Sequence, residues 1–253
     1  MQSKWFESAP RVIAHRGASH RAPENTLRAF TTAVALGADA VELDTRLARD
    51  GAVVIHHDWT LDRTTDGAGR LDRHTLAELE RLDAGKRFGP EFAGERIPTL
   101  ERVFETLGET VLYDIELSNY RRPFNRLPDA VIRLVRRHKL EDHVLMSSFN
   151  PISLRRVEAL APQLPRGLLL MRREPWWMRG PLGPGPVDVL QLEDTLASPE
   201  SIDGFHREDH KVHVWVVNDR NRMRDLLAWG VDGLITDLPD VACEVLGDVL
   251  ATD

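Results

Sequence analysis

Short apolar, β-branched runs alternate along the chain with stretches whose apolar residues recur at helical spacing. The strand-like runs cover 12–14, 40–45, 111–116, 143–147, 167–170, 187–192, 213–217 and 233–236. Between them the pattern predicts helices over 26–36, 100–107, 128–138, 151–160, 199–209 and 222–229. Several open on capping residues: Asn25 precedes the first, and Asn150 stands before Pro151 at the first helical position of another. Strand alternating with helix calls for parallel strands with helices packed over them. Eight such strands within 253 residues predict an α/β fold of the closed (β/α)₈ class, a TIM barrel, rather than an open sheet.

Two stretches interrupt this alternation. After the second strand, Arg49-Asp50-Gly51 reads as a turn into a short strand at 53–55, a hairpin on the barrel rim. The following segment, about 59–98, holds no clear strand–helix unit. It carries a helix-like piece at 75–82 among Gly and Asp residues, and is expected to form a small cap inserted over the barrel mouth. The whole of 1–253 is then expected to be a single barrel domain. The second stretch, 172–186, is rich in Pro and Gly and carries Trp176-Trp177 and Met178. It reads as a loop packed on its own barrel, with an apolar lip for an acyl chain or a homodimer contact as the alternatives.

Charge narrows the range of partners. The chain has 33 Lys+Arg against 40 Asp+Glu, a net charge of −7. That balance argues against broad nucleic-acid binding and against electrostatic attachment to anionic membranes. No stretch approaches 18 apolar residues, and the first residues lack the apolar core of a signal peptide, so neither a signal peptide nor a stable membrane insertion is expected. The single cysteine, Cys243, cannot form an internal disulfide, which fits a cytoplasmic location. It falls in a C-terminal helical pattern and is expected to be a small buried apolar residue.

In such a barrel, chemistry gathers at the C-terminal ends of the strands. The first strand ends in His15-Arg16-Gly17. The second carries Glu42 and Asp44, two apart and therefore on one face. The rim hairpin ends in His56-His57-Asp58, the next barrel strand in Glu116, the seventh in Trp215 and Asn218, and the last in Asp237. Glu42, Asp44 and Glu116 converging at one barrel end would repel one another by about 3–4 kcal/mol per pair at 4–5 Å and an effective dielectric of 20. One hard divalent cation, Mg²⁺ or Ca²⁺, would relieve this, because the ligands are oxygens and no thiolate is present. Salt bridges to arginines at the strand ends are the structural alternative. His15 and His57 are the acid/base candidates. His56 and His57 are adjacent on a strand, so only one of them should face inward. Arg16 offers a fork of donors suited to a phosphate oxygen. Together these residues suggest a small anionic ester as substrate.

The segments IAHRGASHRAPENTLRAF, VELDTRLARDGAVVIHHDWTLDRTTDGAG, IPTLERVF, SSFNP, VWVVND and GVDGLITDLP together resemble the glycerophosphodiester phosphodiesterase family. The resemblance runs from about Arg11 to Pro239, dense over 11–69 and 213–239 and thin between 120 and 205. It implies metal-dependent hydrolysis of glycerophosphodiesters to an alcohol and glycerol 3-phosphate. By motif it makes His15 and His57 the acid/base pair, Glu42, Asp44 and Glu116 the metal ligands, Arg16 a phosphate contact and Trp215 a pocket wall. It prefers His57 over His56 because His57 precedes Asp58 in the family's HD pair. The 59–98 segment then resembles the family's inserted cap, and Asn25 is expected to be mainly a structural helix cap near the site.

One position departs from the family pattern. The family usually places a lysine two residues after the third-strand glutamate, and this chain has Ser118 there. Losing one cation about 5 Å from a phosphate would cost on the order of 3 kcal/mol at an effective dielectric of 20. Arg121 or Arg122 is expected to reach back and compensate in part. The departure leaves two alternatives beside the main reading: a phospholipase-D-like relative acting on lysophospholipids, and a catalytically impaired barrel that only binds phosphoesters or a protein partner. A metal-dependent amidohydrolase is disfavoured, because the first strand carries His15-Arg16-Gly17 in place of an H-x-H pair.

Overall fold

The computed structural model describes residues 3–7, 10–172 and 186–251. Trp176, Trp177 and Met178, and the expectations attached to them, lie outside these residues. The described elements are, in chain order, β1 (Arg11–Ala14), α1 (Leu27–Ala35), β2 (Ala40–Leu47), β3 (Val53–Ile55), α2 (Leu76–Leu79), α3 (Leu100–Leu107), β4 (Leu112–Leu117), α4 (Leu127–His138), β5 (Val144–Ser148), α5 (Pro151–Leu160), β6 (Arg166–Leu170), β7 (Val189–Glu193), α6 (Pro199–Arg207), β8 (Lys211–Trp215), α7 (Arg220–Ala228), β9 (Gly233–Thr236) and α8 (Pro239–Leu250). Eight strands pair in parallel, β1-β2-β4-β5-β6-β7-β8-β9, and β9 returns to β1, so the barrel is closed. The short β3 runs antiparallel along β2, which is the rim hairpin read from the sequence.

Strand parity divides the side chains into two sets. Ile13, Ala40, Leu112, Leu145, Val189 and Ile235 fill the barrel interior, with Trp5 packed among them. Val41, Leu43, Tyr113, Ile115 and Leu117 face outward against Phe30, Ala33, Leu100, Val103 and Phe104 of the helices. Each such large side chain removed from water contributes roughly 1.5–3 kcal/mol. Helix α3 shows the local logic. Thr99 caps it by accepting from the Arg102 amide, and Leu100, Val103, Phe104 and Leu107 form one buried stripe.

Several boundaries differ from the sequence pattern for identifiable reasons. Asn25 is not the cap of α1. Thr26 is, accepting from the Ala29 amide, while Asn25 sits at a positive φ of 58° with its side chain turned to Asp44. The helix-like piece at 75–82 shortens to α2, which Thr75 and Glu78 close with reciprocal hydrogen bonds. The seventh barrel strand begins two residues earlier than expected, and α7 starts at Arg220 because Asp219 caps it. Cys243, expected to be buried, is only partly so, and its thiol donates to the Gly37 carbonyl. Residues 59–98 gather around their own apolar cluster, in which Leu61, Leu71, Leu79 and Ile97 pack with Ala48 and Val54 of the rim hairpin.

Gly17 allows the loop after β1 to pass directly under α1. Its φ is +83°, and a Cβ there would lie 2.6 Å from the Ala29 backbone carbon. Gly51 has a similar φ of +87° but open space around it. Substituting Gly51→Ala should therefore cost about 1–2 kcal/mol, the ordinary penalty of a left-handed backbone. Gly17→Ala should cost clearly more, measured by urea unfolding at 25 °C. Equal losses at the two positions would contradict the close approach.

Candidate active site

The acidic cluster is a consequence of strand register. In the β2–β4 ladder Glu42 lies opposite Asp114 and Asp44 opposite Glu116, all on the inward face. Oxygen atoms of Glu42, Asp44 and Glu116 all fall within 4.8 Å of one another, and the three side chains are buried. Each is held by a neighbour. Glu42 accepts from the Arg16 amide at 2.9 Å, and Asp44 accepts from the Asn25 side chain at 2.7 Å. The Ser118 hydroxyl donates to Glu116 at 2.6 Å and lies 3.4 Å from Asp44.

These contacts do not balance the charge. Burial, with the Asp44 and Glu116 charges close by, pushes the Glu42 carboxyl well above its ordinary range. Burial and Asp44 push Glu116 up to about 7, although Ser118 opposes this. Asp44 goes the other way: burial would raise it, but Arg16, His57 and the Asn25 amide outweigh that and lower it. Beneath the cluster, burial raises Asp114 to about 7. It accepts from Ser147 at 2.6 Å and from the Gln191 side-chain amide.

Each of the two candidate histidines leans on an aspartate through Nδ1. His15 Nδ1 is 2.7 Å from Asp237, which also accepts from Ser19 at 2.8 Å and Asn218 at 2.7 Å. His57 Nδ1 is 2.7 Å from Asp58. Burial would raise both aspartates, yet the bonds they accept hold them well below the usual carboxylate range. His56 is buried, its Nε2 3.0 Å from the Thr60 carbonyl, and only His57 of the pair lines the site cavity.

Arg16 pairs with Glu24 at 3.0 Å and with Asp44 at 3.3 Å. The contact with Asp44 is made by its buried Nε outside hydrogen-bond geometry, and burial is overcome by three nearby carboxylates, which keep the guanidinium charged. The site cavity, of about 330 Å³, is lined by His15, Arg16, Glu42, His57 and Glu116 on its polar side. Phe149, Leu169, Met171, Trp215 and Ile235 supply its apolar lining, with Phe149 edge-on to Trp215 at 5.6 Å.

Neither Arg121 nor Arg122 lines this cavity. Their guanidinium groups lie 5.7 and 5.8 Å from the Trp59 ring centroid, and Arg122 pairs with Asp72 at 2.9 Å. The expectation that one of them reaches back into the place of a third-strand lysine is corrected accordingly: the indole face and Asp72 attract them instead. Four residues with evident roles in this geometry were missed at the sequence level. Glu24 and Arg63 give no local signal there. Arg46 could have been found, since it shares the inward parity of Glu42 and Asp44. It is buried and donates to the carbonyls of His56, His57 and Ser118, tying the hairpin and the end of β4 to β2. Asp58 was read only as part of a motif, although its place beside His57 suggests the contact.

Comparison with known proteins sets this arrangement among the phosphoric diester hydrolases. The model of the glycerophosphoryl diester phosphodiesterase family matches residues 15–241. The chain is 41% identical to the glycerophosphodiester phosphodiesterase of Caldanaerobacter subterraneus, over 90% of this chain and 94% of that protein. It is 32% identical to the glycerophosphodiester phosphodiesterase of Bacillus subtilis, over 91% and 84% respectively. Among solved structures it is similar to an Oleispira antarctica phosphodiesterase in complex with the product sn-glycerol-3-phosphate. The TM-score is 0.88 at 32% identity, covering 96% of this chain and 99% of that one. The chain belongs to the glycerophosphoryl diester phosphodiesterase family, and it is an enzyme of that hydrolase class.

The raised Glu116 carboxyl has a measurable consequence. A carboxyl that titrates near 7 when folded and near 4.5 when unfolded binds its proton more tightly in the folded state. Its contribution to stability is therefore lost as pH rises from about 4.5 to 7, and stays lost above that. In chelator-containing buffer the Tm of the wild type should fall between pH 5 and 7.5 relative to Glu116→Gln, by several degrees. Parallel Tm–pH curves for the two proteins would contradict this.

Proposed function

We propose that the protein hydrolyses glycerophosphodiesters to an alcohol and glycerol 3-phosphate by a metal-dependent, two-histidine mechanism. The observation that carries the reading is a cavity lined by two aspartate-held histidines, Arg16, Glu42 and Glu116, with the Asp44 carboxylate buried within 4.8 Å of both glutamates. The donor set suits a hard divalent cation: it is oxygen-only, its atoms lie within 4.8 Å of one another, and its charge is left uncompensated. Glu42, Asp44 and Glu116 would hold one Mg²⁺ or Ca²⁺. When bound, such an ion supplies positive charge against the phosphoryl oxygens and the developing negative charge of the transition state.

The protein's own groups account for the rest. Arg16, which lines the cavity, binds a phosphoryl oxygen. Asp237 and Asp58 fix the Nδ1 proton of His15 and His57, which leaves Nε2 of each ring as the nitrogen that exchanges a proton. One histidine takes the proton from the nucleophile, and the other delivers a proton to the leaving alkoxide. The Phe149–Trp215 wall takes the apolar face of the substrate. Ser118 orients Glu116 in place of contributing a cation.

The apolar wall also favours a second reading, in which the preferred diester carries an acyl chain, as a lysophospholipid does. The ratio of kcat/KM for glycerophosphocholine to that for lysophosphatidylcholine separates the two. Glycerophosphocholine hydrolysis should stop with chelator and return with Mg²⁺ or Ca²⁺. His15→Ala and His57→Ala should each lower kcat by roughly 10²–10⁴-fold. Activity that survives both chelation and His15→Ala would overturn the mechanism, and a wild type that binds glycerophosphocholine without turnover would make the barrel a binding relative.

A further inference from the structure

Arg63, in the segment between β3 and α3, sits where two ion-pair chains meet. Its Nε donates to Asp58 at 2.5 Å, and its two Nη atoms donate to Glu24 at 2.6 and 2.7 Å. Glu24 also accepts from Arg16 Nη1 at 3.0 Å, and Asp58 holds His57 Nδ1 at 2.7 Å. One planar guanidinium thus links the residue on one side of the cavity that faces the phosphate to the residue on another that exchanges a proton. We infer that Arg63 is a positioning residue that aligns Arg16 through Glu24 and His57 through Asp58, so that the inserted segment sets the geometry of the reacting groups. This rests on the function proposed above and goes beyond it.

The physical case is one of geometry rather than of stability. The Arg63 side chain is 47% exposed, and ion pairs so exposed add little to the folding free energy. What a fork of fixed donors does is orient the carboxylates that accept from it. Glu24 and Asp58 are less exposed, at 21% and 24%, and each uses its remaining oxygen capacity on an active-site side chain. Without Arg63, each of the two carboxylates would keep only its contact with the active-site side chain it is meant to position, with no fixed donor to orient it in turn. Misplacement of a reacting group by about 1 Å can cost on the order of 10²-fold in rate. Lysine cannot replace the arrangement, because a single ammonium does not present parallel donors to one carboxylate while reaching a second.

The two arms predict separable kinetics with glycerophosphocholine. Glu24→Gln, which loosens Arg16, should raise KM about tenfold and leave kcat nearly unchanged. Asp58→Asn, which loosens His57, should lower kcat at least tenfold and leave KM nearly unchanged. Arg63→Ala should show both effects, Arg63→Lys should recover neither fully, and free guanidinium ion should restore Arg63→Ala in part. Arg87→Ala serves as the control for damage to the inserted segment, since Arg87 donates to the Thr65 carbonyl within it and does not line the site cavity. It should leave kcat and KM like those of the wild type. Wild-type kcat and KM in Arg63→Ala would overturn the inference, as would kinetic losses that Arg87→Ala matches. A wild-type protein inactive on the diester would instead overturn the proposed function.

Discussion

Three carboxylates buried at one end of a barrel set the terms for everything around them. At 4.8 Å or less, each pair repels by about 3–4 kcal/mol at an effective dielectric of 20. Parallel register leaves no way to avoid this, because Asp44 and Glu116 are partners in the ladder and Glu42 is two residues before Asp44 on the same face. The loop after β1 responds by presenting the Arg16 amide to Glu42 and its guanidinium to Asp44. Asn25 gives up a helix-capping role to donate to Asp44, and Ser118 donates to Glu116. The protein offsets part of the repulsion and leaves the remainder as raised carboxyl groups, which is the condition in which a cation gains most by binding.

Around that cluster the two histidines are held in the same way but by different parts of the chain. Asp237, at the end of β9, holds His15 and is itself fixed by Ser19 and Asn218, all of them from the barrel. Asp58, at the rim hairpin, holds His57 and is fixed by Arg63 of the inserted segment. One of these aspartates is thus held by residues of the barrel strands and their loops, the other by a residue of the segment between β3 and α3. Phe149, Leu169, Met171 and Trp215 add apolar side chains to a cavity otherwise lined by the histidines, Arg16 and the acids.

Most of the fold was legible because alternation of strand and helix has few solutions at this length. The inward-facing acids were legible for the same reason: Glu42 and Asp44 share parity, and Glu116 closes the neighbouring strand. What the sequence hid was long-range pairing. Asp237 stood out only as a polar strand end, and its contact with His15 spans the seam where the barrel closes. Glu24 and Arg63 are 39 positions apart, and no local pattern links them. Arg121 and Arg122 lie away from the place expected of them for a physical reason, since Trp59 attracts both guanidinium groups and Asp72 pairs with that of Arg122. Trp5, unremarked in the sequence, packs among the interior side chains beside His213, with its indole N–H donating to the His143 carbonyl.

The central claim is that the acidic cluster is a site for one hard cation. Isothermal titration of Mg²⁺ and Ca²⁺ into chelator-stripped protein tests it most directly, carried out at pH 6 and pH 8.5 in buffers of different ionisation enthalpy. The account predicts one ion per chain, tighter binding at the higher pH, and release of protons at pH 6 as Glu42 and Glu116 give them up. Binding should be lost in Asp44→Asn. No saturable binding of either ion, or binding unchanged in Asp44→Asn, would contradict it.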